Sequence, residues 1–238
     1  MAAAAKKKSR ATTTRTGARK KNAFTRDWFS SRIPVWSEIL QPGLQGKANA
    51  KALELGSFEG RSALWTLEHL LTGRGAHLTC VDDFRRIPGT SSSTPQEVKT
   101  RFLNNLSAHI RTRRARLLEG DAADVLRYSS ELATRAARAS YDFIYIDTSN
   151  NMRTLLEQAV LVWPLLKARG FLVFDDYTHS REHDQACPRP GIDAFLTAYA
   201  SQLKVRHSGW SVIVQKRSKP LSERVCKSEL FHEDLARI

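Results

Sequence analysis

The stretch 51–62 reads KALELGSFEGRS, and it sets the pattern for much of the chain. Lys51–Leu55 is predicted to be a short apolar strand, followed by a turn that opens a helix near Ser62. Gly56 lets the backbone come close to a ligand, and Gly60 and Ser62 start the helix with free N–H groups. The turn lacks the G-x-G-x-x-G spacing that makes room for a pyrophosphate. It therefore favours a ligand that has a carboxylate and no pyrophosphate.

Strands and helices alternate after this turn. Four further apolar runs are predicted to be strands, at His77–Val81, Ala115–Leu118, Tyr141–Ile146 and Phe171–Phe174. Helical periods are predicted at Ser62–Leu71, Gln96–Ile110, Ala122–Ala137, Thr154–Leu166 and Ile192–Leu203. Two last strands, Lys204–His207 and Trp210–Gln215, are separated by a short Ser-Gly turn and indicate a hairpin. The pattern predicts an α/β fold whose parallel sheet ends in an antiparallel hairpin.

Each predicted parallel strand ends in a carboxylate or a glycine. These ends are Glu54/Gly56, Asp82/Asp83, Gly120/Asp121, Asp147 and Asp175/Asp176. Because the carboxyl ends of parallel strands line one crevice, we expect a single site there, suited to a ligand with hydroxyls and a cationic group, or to a metal ion. Asp82 could accept hydrogen bonds from ribose hydroxyls, or be a surface acid, and Asp121 and Ala122 could reach an adenine edge. The first three ends together predict a nucleoside site.

The chain has 238 residues and a net charge of +14, and the charge is uneven. Residues 1–21 hold eight Lys or Arg and no acid, so we expect residues 1–23 to be a disordered arm. It could bind nucleic-acid phosphates, serve as a nuclear address, resemble an organelle transit peptide, or be a solvated tail. Residues 24–216 are predicted to form the main domain, and residues 217–238 a C-terminal extension.

Composition also bears on the compartment. No apolar run is long enough to span a bilayer, and no secretory signal is recognisable. The three cysteines, Cys80, Cys187 and Cys226, have no metal-binding spacing and suit a reducing compartment. We therefore expect an intracellular protein, cytoplasmic or nuclear, without membrane contact. Before the first strand, Phe24–Leu40 is predicted to be an amphipathic cap segment broken by Pro34.

These motifs resemble the class I S-adenosylmethionine-dependent methyltransferases, in particular the group that reads LEiGSfeGRS, YDfIYIDGSH and LLKpGGilifDDY. The matching stretches are LELGSFEGRS (53–62), LTCVDDF (78–84), YDFIYIDTSN (141–150), LLKARGFLVFDDY (165–177), RPGIDAFL (189–196) and SGWSVIVQK (208–216). DWFSSRIPVW (27–36) also fits the usual lead-in. The resemblance implies a Rossmann-like, seven-stranded and mostly parallel sheet with an antiparallel C-terminal hairpin strand and helices on both faces.

The resemblance also implies a role for each matched residue. The methionine part of the cofactor would be held by Glu54, Gly56, Ser57, Gly60 and Ser62. Asp82 would bind the ribose, Asp121 and Ala122 would lie beside the adenine, and Asp147 would lie next to the methyl group. In the similar cation-dependent O-methyltransferases, acids at the positions of Asp147, Asp175 and Asp176 hold a metal. These three residues would thus be catalytic by binding Mg²⁺, which would orient a substrate hydroxyl and lower its pKa. The alternative is that they hydrogen-bond loop amides without metal.

One departure from the group concerns the general base. Relatives read Gly-Ser-His where this chain has Thr148-Ser149-Asn150, and neutral Asn cannot accept a proton near pH 7. His179 or His183 could substitute, although their H-x-x-E-H pattern shows no helix that would align them for zinc. We therefore expect methyl transfer to a hydroxyl of a small molecule or sugar. The alternatives are an RNA methyltransferase that uses the basic arm and a non-catalytic cofactor-binding protein.

Overall fold

The computed structural model describes residues 22–85, 93–130, 132, 134, 139–148, 151–178 and 187–220. Most of the predicted arm and of the C-terminal extension therefore lies outside the described residues. Ala23 already belongs to the fold, because its N–H and C=O pair with the side chain of Asn105 at 3.0 and 2.9 Å. Within the described ranges, no helix is both long and apolar enough to cross a membrane.

The core of the fold is a seven-stranded sheet. Its strands are β1 (Lys51–Leu55), β2 (His77–Asp82), β3 (Ala115–Glu119), β4 (Tyr141–Ile146), β5 (Leu166–Phe174), β6 (Leu203–Ser208) and β7 (Val212–Lys216). Their spatial order is β3-β2-β1-β4-β5-β7-β6, with β1 to β5 parallel and β7 antiparallel to both of its neighbours. The predicted sheet and its antiparallel hairpin are confirmed.

Helices cover both faces of the sheet, as predicted. They are α1 (Ile33–Leu44), α2 (Arg61–Trp65), α3 (Pro95–Asn105), α4 (Ser107–Arg111), α5 (Ala122–Tyr128), α6 (Met152–Val162) and α7 (Arg189–Ala198). Buried side chains of α1 to α3 join one hydrophobic cluster with part of the sheet, and those of α5 to α7 join a second cluster. Short 3₁₀ turns occupy Ser30–Arg32, Trp163–Leu165 and Ala200–Gln202, and a π turn, Thr66–Leu70, continues α2.

Several element boundaries differ from the predictions. Pro34 lies in the first turn of α1 and does not break it, because the first helical residues need no N–H donor. The helix predicted at residues 96–110 is two helices, since Leu106 leaves helical geometry with φ −96° and ψ 5°. Strand β5 begins at Leu166, five residues before the predicted Phe171, and a register shift opposite β4 accommodates the extra residues. The helix predicted to reach Ala137 ends at Tyr128, beyond which only part of the chain is described.

Trp36 fixes α1 to the sheet. Its side chain is fully buried, and its ring packs edge-to-face against Phe143 and Tyr145 of β4, at centroid distances of 5.4 and 4.8 Å. Phe29 and Trp65 contact the same ring at 5.0 and 5.9 Å. This packing holds the start of α1 beside the carboxyl end of β4, where the crevice lies.

Replacing Trp36 by Ala should therefore destabilise the whole domain. We expect the free energy of unfolding to fall by about 3–5 kcal/mol, the usual cost of deleting a large buried aromatic side chain. Denaturant unfolding measures this change. The matched control is Trp28→Ala, because the Trp28 side chain is exposed and packs mainly on Phe58. Equal losses in the two variants would contradict the assigned role of Trp36.

Candidate active site

The crevice lies at the carboxyl ends of β1 and β4, which are adjacent in the sheet. The connections that follow these two strands lead to opposite faces of the sheet. The turn after β1 leads to α2 in one hydrophobic cluster, and β4 is followed by α6 in the other. Gly56 has φ +79°, and a Cβ at this position would lie 2.0 Å from the carbonyl oxygen of Asp147. The Gly56 N–H donates to Val81 at 2.9 Å, and the Asp147 N–H donates to Leu55 at 2.8 Å. Only glycine fits here, and ligands of open α/β sheets bind at such a point.

Asp82 anchors the turn after β1. Its carboxylate accepts hydrogen bonds from the backbone N–H groups of Ser57, Phe58 and Phe84 at 2.7, 2.9 and 2.7 Å. A carboxylate offers about four lone-pair directions, so one remains for a ligand hydroxyl. Burial raises the pKa of Asp82, although the three amide bonds oppose this. The predicted ribose contact remains a prediction, and the anchoring of the turn is a role that the sequence did not reveal.

Glu54 and Ser57 place unpartnered acceptors inside the crevice. Glu54 is buried, and its Oε1 accepts a hydrogen bond from the Ser62 hydroxyl at 2.8 Å. Its Oε2 and the Ser57 Oγ are also buried, and neither has a hydrogen-bond partner among the residues that the structure describes. Burial raises the pKa of Glu54 to about 8, while the hydroxyls of Ser62 and of the nearby Ser57 lower it. Since buried polar atoms are normally satisfied, these two oxygens fit the ammonium group of a bound ligand.

The remaining predicted cofactor residues lie at helix starts. Gly60 is the N-cap of α2 with φ +81°, and a Cβ there would lie 2.2 Å from Leu106. Asp121 is the N-cap of α5 and accepts bonds from the N–H groups of Ala123 and Asp124 at 2.9 and 3.1 Å. Ala122 is buried beneath this turn. A contact of Asp121 or Ala122 with adenine stays a prediction.

Tyr145 links the acids at the ends of β4 and β5. Its hydroxyl lies 2.8 Å from Asp175 Oδ2 and 3.1 Å from Asp147 Oδ2. Burial raises the pKa of Tyr145 well above its usual value, and the two carboxylates raise it further, so the hydroxyl stays protonated. One O–H group cannot satisfy two full negative charges, and the shorter contact favours Asp175. Asp147 is therefore left with the weaker hydrogen bond.

Arg32 and Trp210 complete the network around the acid pair after β5. The Arg32 Nε lies 3.1 Å from Asp175 Oδ1, its Nη2 lies 3.4 Å from Asp175 Oδ2, and it approaches Asp176 at 3.8 Å. The indole N–H of Trp210 donates to Asp176 at 3.1 Å. The Arg32 guanidinium carbon also lies 5.0 Å from the centroid of the Trp210 ring. The acid pair is thus held by side chains from outside its own strand.

The charge state of Asp147 follows from its neighbours. The crevice takes its carboxylate out of bulk water, which raises its pKa, and the nearby charges of Asp175 and Asp176 raise it further. The residue nevertheless keeps an exposed surface, so a substrate can reach it. Burial also raises the pKa of Asp175, and the charge of Arg32 opposes this effect without cancelling it. Asp147 is the acid of this network that is both accessible and inclined to take up a proton.

The arrangement does not fit the predicted Mg²⁺ site. Asp147, Asp175 and Asp176 come together as expected, but as a network with Tyr145 and Arg32 rather than as ligands that converge on an empty position. Across the described residues, no group of three or more His, Cys, Asp or Glu side chains could hold a metal ion. The two candidate proton acceptors, His179 and His183, lie outside the described residues, as does Asn150.

Arg32, Tyr145 and Trp210 were not predicted as site residues. Arg32 and Trp210 lie within matched motifs, DWFSSRIPVW and SGWSVIVQK, and this was the only signal for them. Tyr145 lies within the predicted strand Tyr141–Ile146, and nothing in the sequence marks it as a site residue. Arg32 is 143 positions away from Asp175 in the sequence, and no local pattern indicates that the two pair.

The sheet order, the glycine turn after β1 and the acids at the carboxyl ends of β2 and β4 define a class I S-adenosylmethionine-dependent methyltransferase. The profile of a family described as "Methyltransferase domain" matches residues 53–177, more than half of the chain. The chain belongs to this family. The unpartnered oxygens of Glu54 and Ser57 fit the ammonium group of the cofactor.

Solved structures share the fold at low sequence identity. An O-methyltransferase from Bacillus cereus in complex with SAH is 15% identical, with a TM-score of 0.55 over 81% of this chain and 84% of that one. A candidate caffeoyl-CoA O-methyltransferase from Staphylococcus aureus is 13% identical, with a TM-score of 0.56 over 81% and 86%. A candidate rRNA methylase from Clostridium thermocellum is 9% identical, with a TM-score of 0.55 over 77% and 96%. No curated protein sequence matches the chain significantly.

Glu54 should make cofactor binding depend on pH. Because its pKa of about 8 lies above neutrality, the free protein holds Glu54 mostly protonated, whereas a ligand ammonium group favours the ionised form. If Glu54 is ionised in the complex, the affinity for S-adenosylhomocysteine should rise by about 50-fold between pH 6 and pH 8, because the ionised fraction in the free protein rises from about 1% to about 50%, and the affinity should level off above that range. Calorimetric titration measures this change.

Glu54→Gln should weaken binding and remove the pH dependence. Glu68→Gln is the control, because Glu68 is exposed on the π turn after α2. An affinity that is equal at pH 6 and pH 8 in the unmodified protein would show that Glu54 does not meet the ammonium group.

Proposed function

We propose that this methyltransferase transfers the methyl group of S-adenosylmethionine to a hydroxyl of a small molecule or sugar. The observation that supports this most directly is the position of Asp147, which is accessible and lies against the glycine turn at Gly56. A hydroxyl must lose its proton when it attacks a methyl group, and a carboxylate with a raised pKa is a suitable acceptor. The O-methyltransferase from Bacillus cereus shares the fold and is consistent with this class of reaction.

Each part of the crevice has a separate task in this proposal. The cofactor supplies the electrophilic methyl group. Glu54 and Ser57 would receive its ammonium group, and Asp82 holds the turn that would surround the methionine part while its free lone pair would be available to the ribose. Asp121 and Ala122 would border the adenine.

In this proposal, Asp147 accepts the proton of the substrate hydroxyl. Tyr145 donates its hydroxyl proton mainly to Asp175, and Arg32 neutralises the same carboxylate. Both interactions favour the ionised form of Asp175, whereas the pKa of Asp147 is raised well above its usual value, so an arriving proton is directed to Asp147. The Mg²⁺ assistance implied by the resemblance is not part of the proposal, since Arg32 and Tyr145 engage the predicted ligands.

An assay with isotopically labelled S-adenosylmethionine against pools of hydroxyl-bearing metabolites and of RNA tests the function. We expect label in the small-molecule pool. With the acceptor so identified, Asp147→Asn should lower kcat by about 10²–10⁴-fold, the usual contribution of a general base, with the affinity for S-adenosylhomocysteine retained. In the unmodified enzyme the rate should rise with pH, because Asp147 must be ionised to accept a proton. Because the pKa of Asp147 is raised, this rise should occur at a pH above the ordinary pKa range of an aspartate.

Asp124→Asn is the matched control, because Asp124 is exposed on α5 and pairs with Arg127. Unchanged kcat in Asp147→Asn would reject Asp147 as the base. Cofactor binding without any labelled product would instead support the non-catalytic alternative.

The RNA alternative has one supporting observation in the fold. Basic residues surround a surface depression at the amino end of β5; they are Arg169, Lys204, Lys216, Arg217 and Lys219. Arg169 is six residues before Asp175, so this surface lies roughly 20 Å from the acids at the spacing of an extended strand. Such a surface, together with the basic arm, would bind phosphates away from the reacting group.

If RNA is the acceptor, the arm should contribute to its binding. Deleting residues 1–21, which removes eight positive charges, should then weaken RNA binding and reduce its dependence on salt concentration. Fluorescence anisotropy at several salt concentrations measures both. Replacing the four threonines of the arm by serine is the control, because it leaves the charge unchanged. Equal affinity with and without the arm would remove the arm from the RNA hypothesis.

A further inference from the structure

We propose that Arg32 is the resident cation of this active site and that its guanidinium takes the place of a divalent metal ion beside Asp175 and Asp176. The inference rests on the proposed function only for its catalytic consequence. Arg32 acts through Asp175 and Asp176, so it is a positioning residue.

The contacts of Arg32 are those of a built site. Two of its nitrogens face the two oxygens of Asp175, and this fork geometry is the one in which a guanidinium binds a carboxylate most strongly. The side chains of both residues are largely buried, with 12% and 5% of their surface exposed. A third nitrogen donates to the Ser31 hydroxyl at 2.6 Å. These bonds fix the guanidinium in one orientation.

Three distant parts of the chain supply the surroundings of this cation. Arg32 ends the 3₁₀ turn before α1, Asp175 and Asp176 follow β5, and Trp210 lies between β6 and β7. Trp210 stacks on the guanidinium, and its indole N–H binds Asp176. Asp176 has φ +58°, an uncommon conformation that turns its backbone at this point. A backbone hydrogen bond also joins the segment after β5 to the turn between β6 and β7, because the Tyr177 N–H donates to the Trp210 carbonyl at 2.8 Å.

The electrostatics of the crevice explain why a cation is needed. Asp147, Asp175 and Asp176 repel one another in a site partly withdrawn from water, and a positive charge lowers this cost. A guanidinium cannot be deprotonated at ordinary pH, so it supplies this charge permanently. A divalent ion would be repelled by Arg32 and would find both oxygens of Asp175 already engaged. Metal can therefore bind among these acids only if the guanidinium leaves.

A change of Arg32 should consequently create a metal site. The unmodified protein should bind no Mn²⁺ at concentrations up to about 1 mM, whereas Arg32→Ala should bind it with a Kd below that value. Arg32→Lys keeps the charge and should stay free of metal. Isothermal titration with Mn²⁺ alone, together with its electron paramagnetic resonance spectrum, measures binding without any need for an acceptor. The double variant Arg32→Ala/Asp175→Asn should lose the metal again.

Arg127→Ala is the matched control. Arg127 pairs with Asp124 and Glu157 on the outer surface of α5 and α6, so its removal should not produce a metal site. Binding of S-adenosylhomocysteine by each variant verifies that it is folded. If Arg32→Ala does not fold, the unmodified protein is compared with Asp175→Asn. Binding of Mn²⁺ by the unmodified protein, together with its loss in Asp175→Asn, would overturn the proposal.

The catalytic consequence is tested separately. With an acceptor in hand, excess chelator should leave the activity of the unmodified enzyme unchanged, Arg32→Ala should lower kcat more than it raises KM, and Arg32→Lys should recover part of the loss. Loss of activity in chelator, or a folded Arg32→Ala variant that binds no Mn²⁺, would overturn the role of Arg32. If no hydroxyl acceptor is found, the proposed function fails while the Mn²⁺ titrations still decide the identity of the cation.

Discussion

The close approach of Gly56 to the backbone of Asp147 is the constraint on which the site depends. The ends of β1 and β4 can lie this near to each other only because no Cβ stands between them. The segment after β1 then leads to α2 on one face of the sheet, and the segment after β4 leads to α6 on the other face. This division opens the crevice and brings the cofactor turn against the acid that receives the substrate proton in the proposed reaction. Any side chain at residue 56 would force the two strand ends apart.

The N-terminal segment before β1 connects packing with chemistry. Trp36 ties α1 to β4 through buried aromatic contacts, and four residues earlier Arg32 reaches the acids after β5. The same segment lies over the cofactor turn. Thr25 donates two hydrogen bonds to the buried carboxylate of Glu59, at 2.6 and 2.8 Å. A segment that looks like a simple cap therefore stabilises the core, covers the turn and supplies the cation of the site.

Buried carboxylates in this crevice are stabilised in two different ways. Asp82 is satisfied locally by backbone amides of the adjacent turns, so its negative charge needs no cation. Asp175 lies between Tyr145 and Arg32 and depends on side chains from β4 and from the N-terminal segment. Glu54 is stabilised neither by backbone amides nor by a cation, since one of its oxygens lacks a partner among the described residues and its pKa is raised to about 8. Of the three, Glu54 is thus the one whose charge should respond most to bound cofactor.

The sequence by itself determined the sheet, its hairpin and the convergence of the acids, because strand alternation and parallel order bring residues 54, 82, 121, 147 and 175 to one edge whatever the details of packing. It also identified Gly56 and Gly60, whose positive φ values confirm that these turns need glycine. It did not determine where α1 begins, since a proline signal cannot distinguish a break from a first turn. Only the tertiary structure decided what neutralises Asp175 and Asp176. A metal ion and a guanidinium both suit such a pair, and the choice depends on Arg32, which packing of Trp36 brings from far away in the sequence.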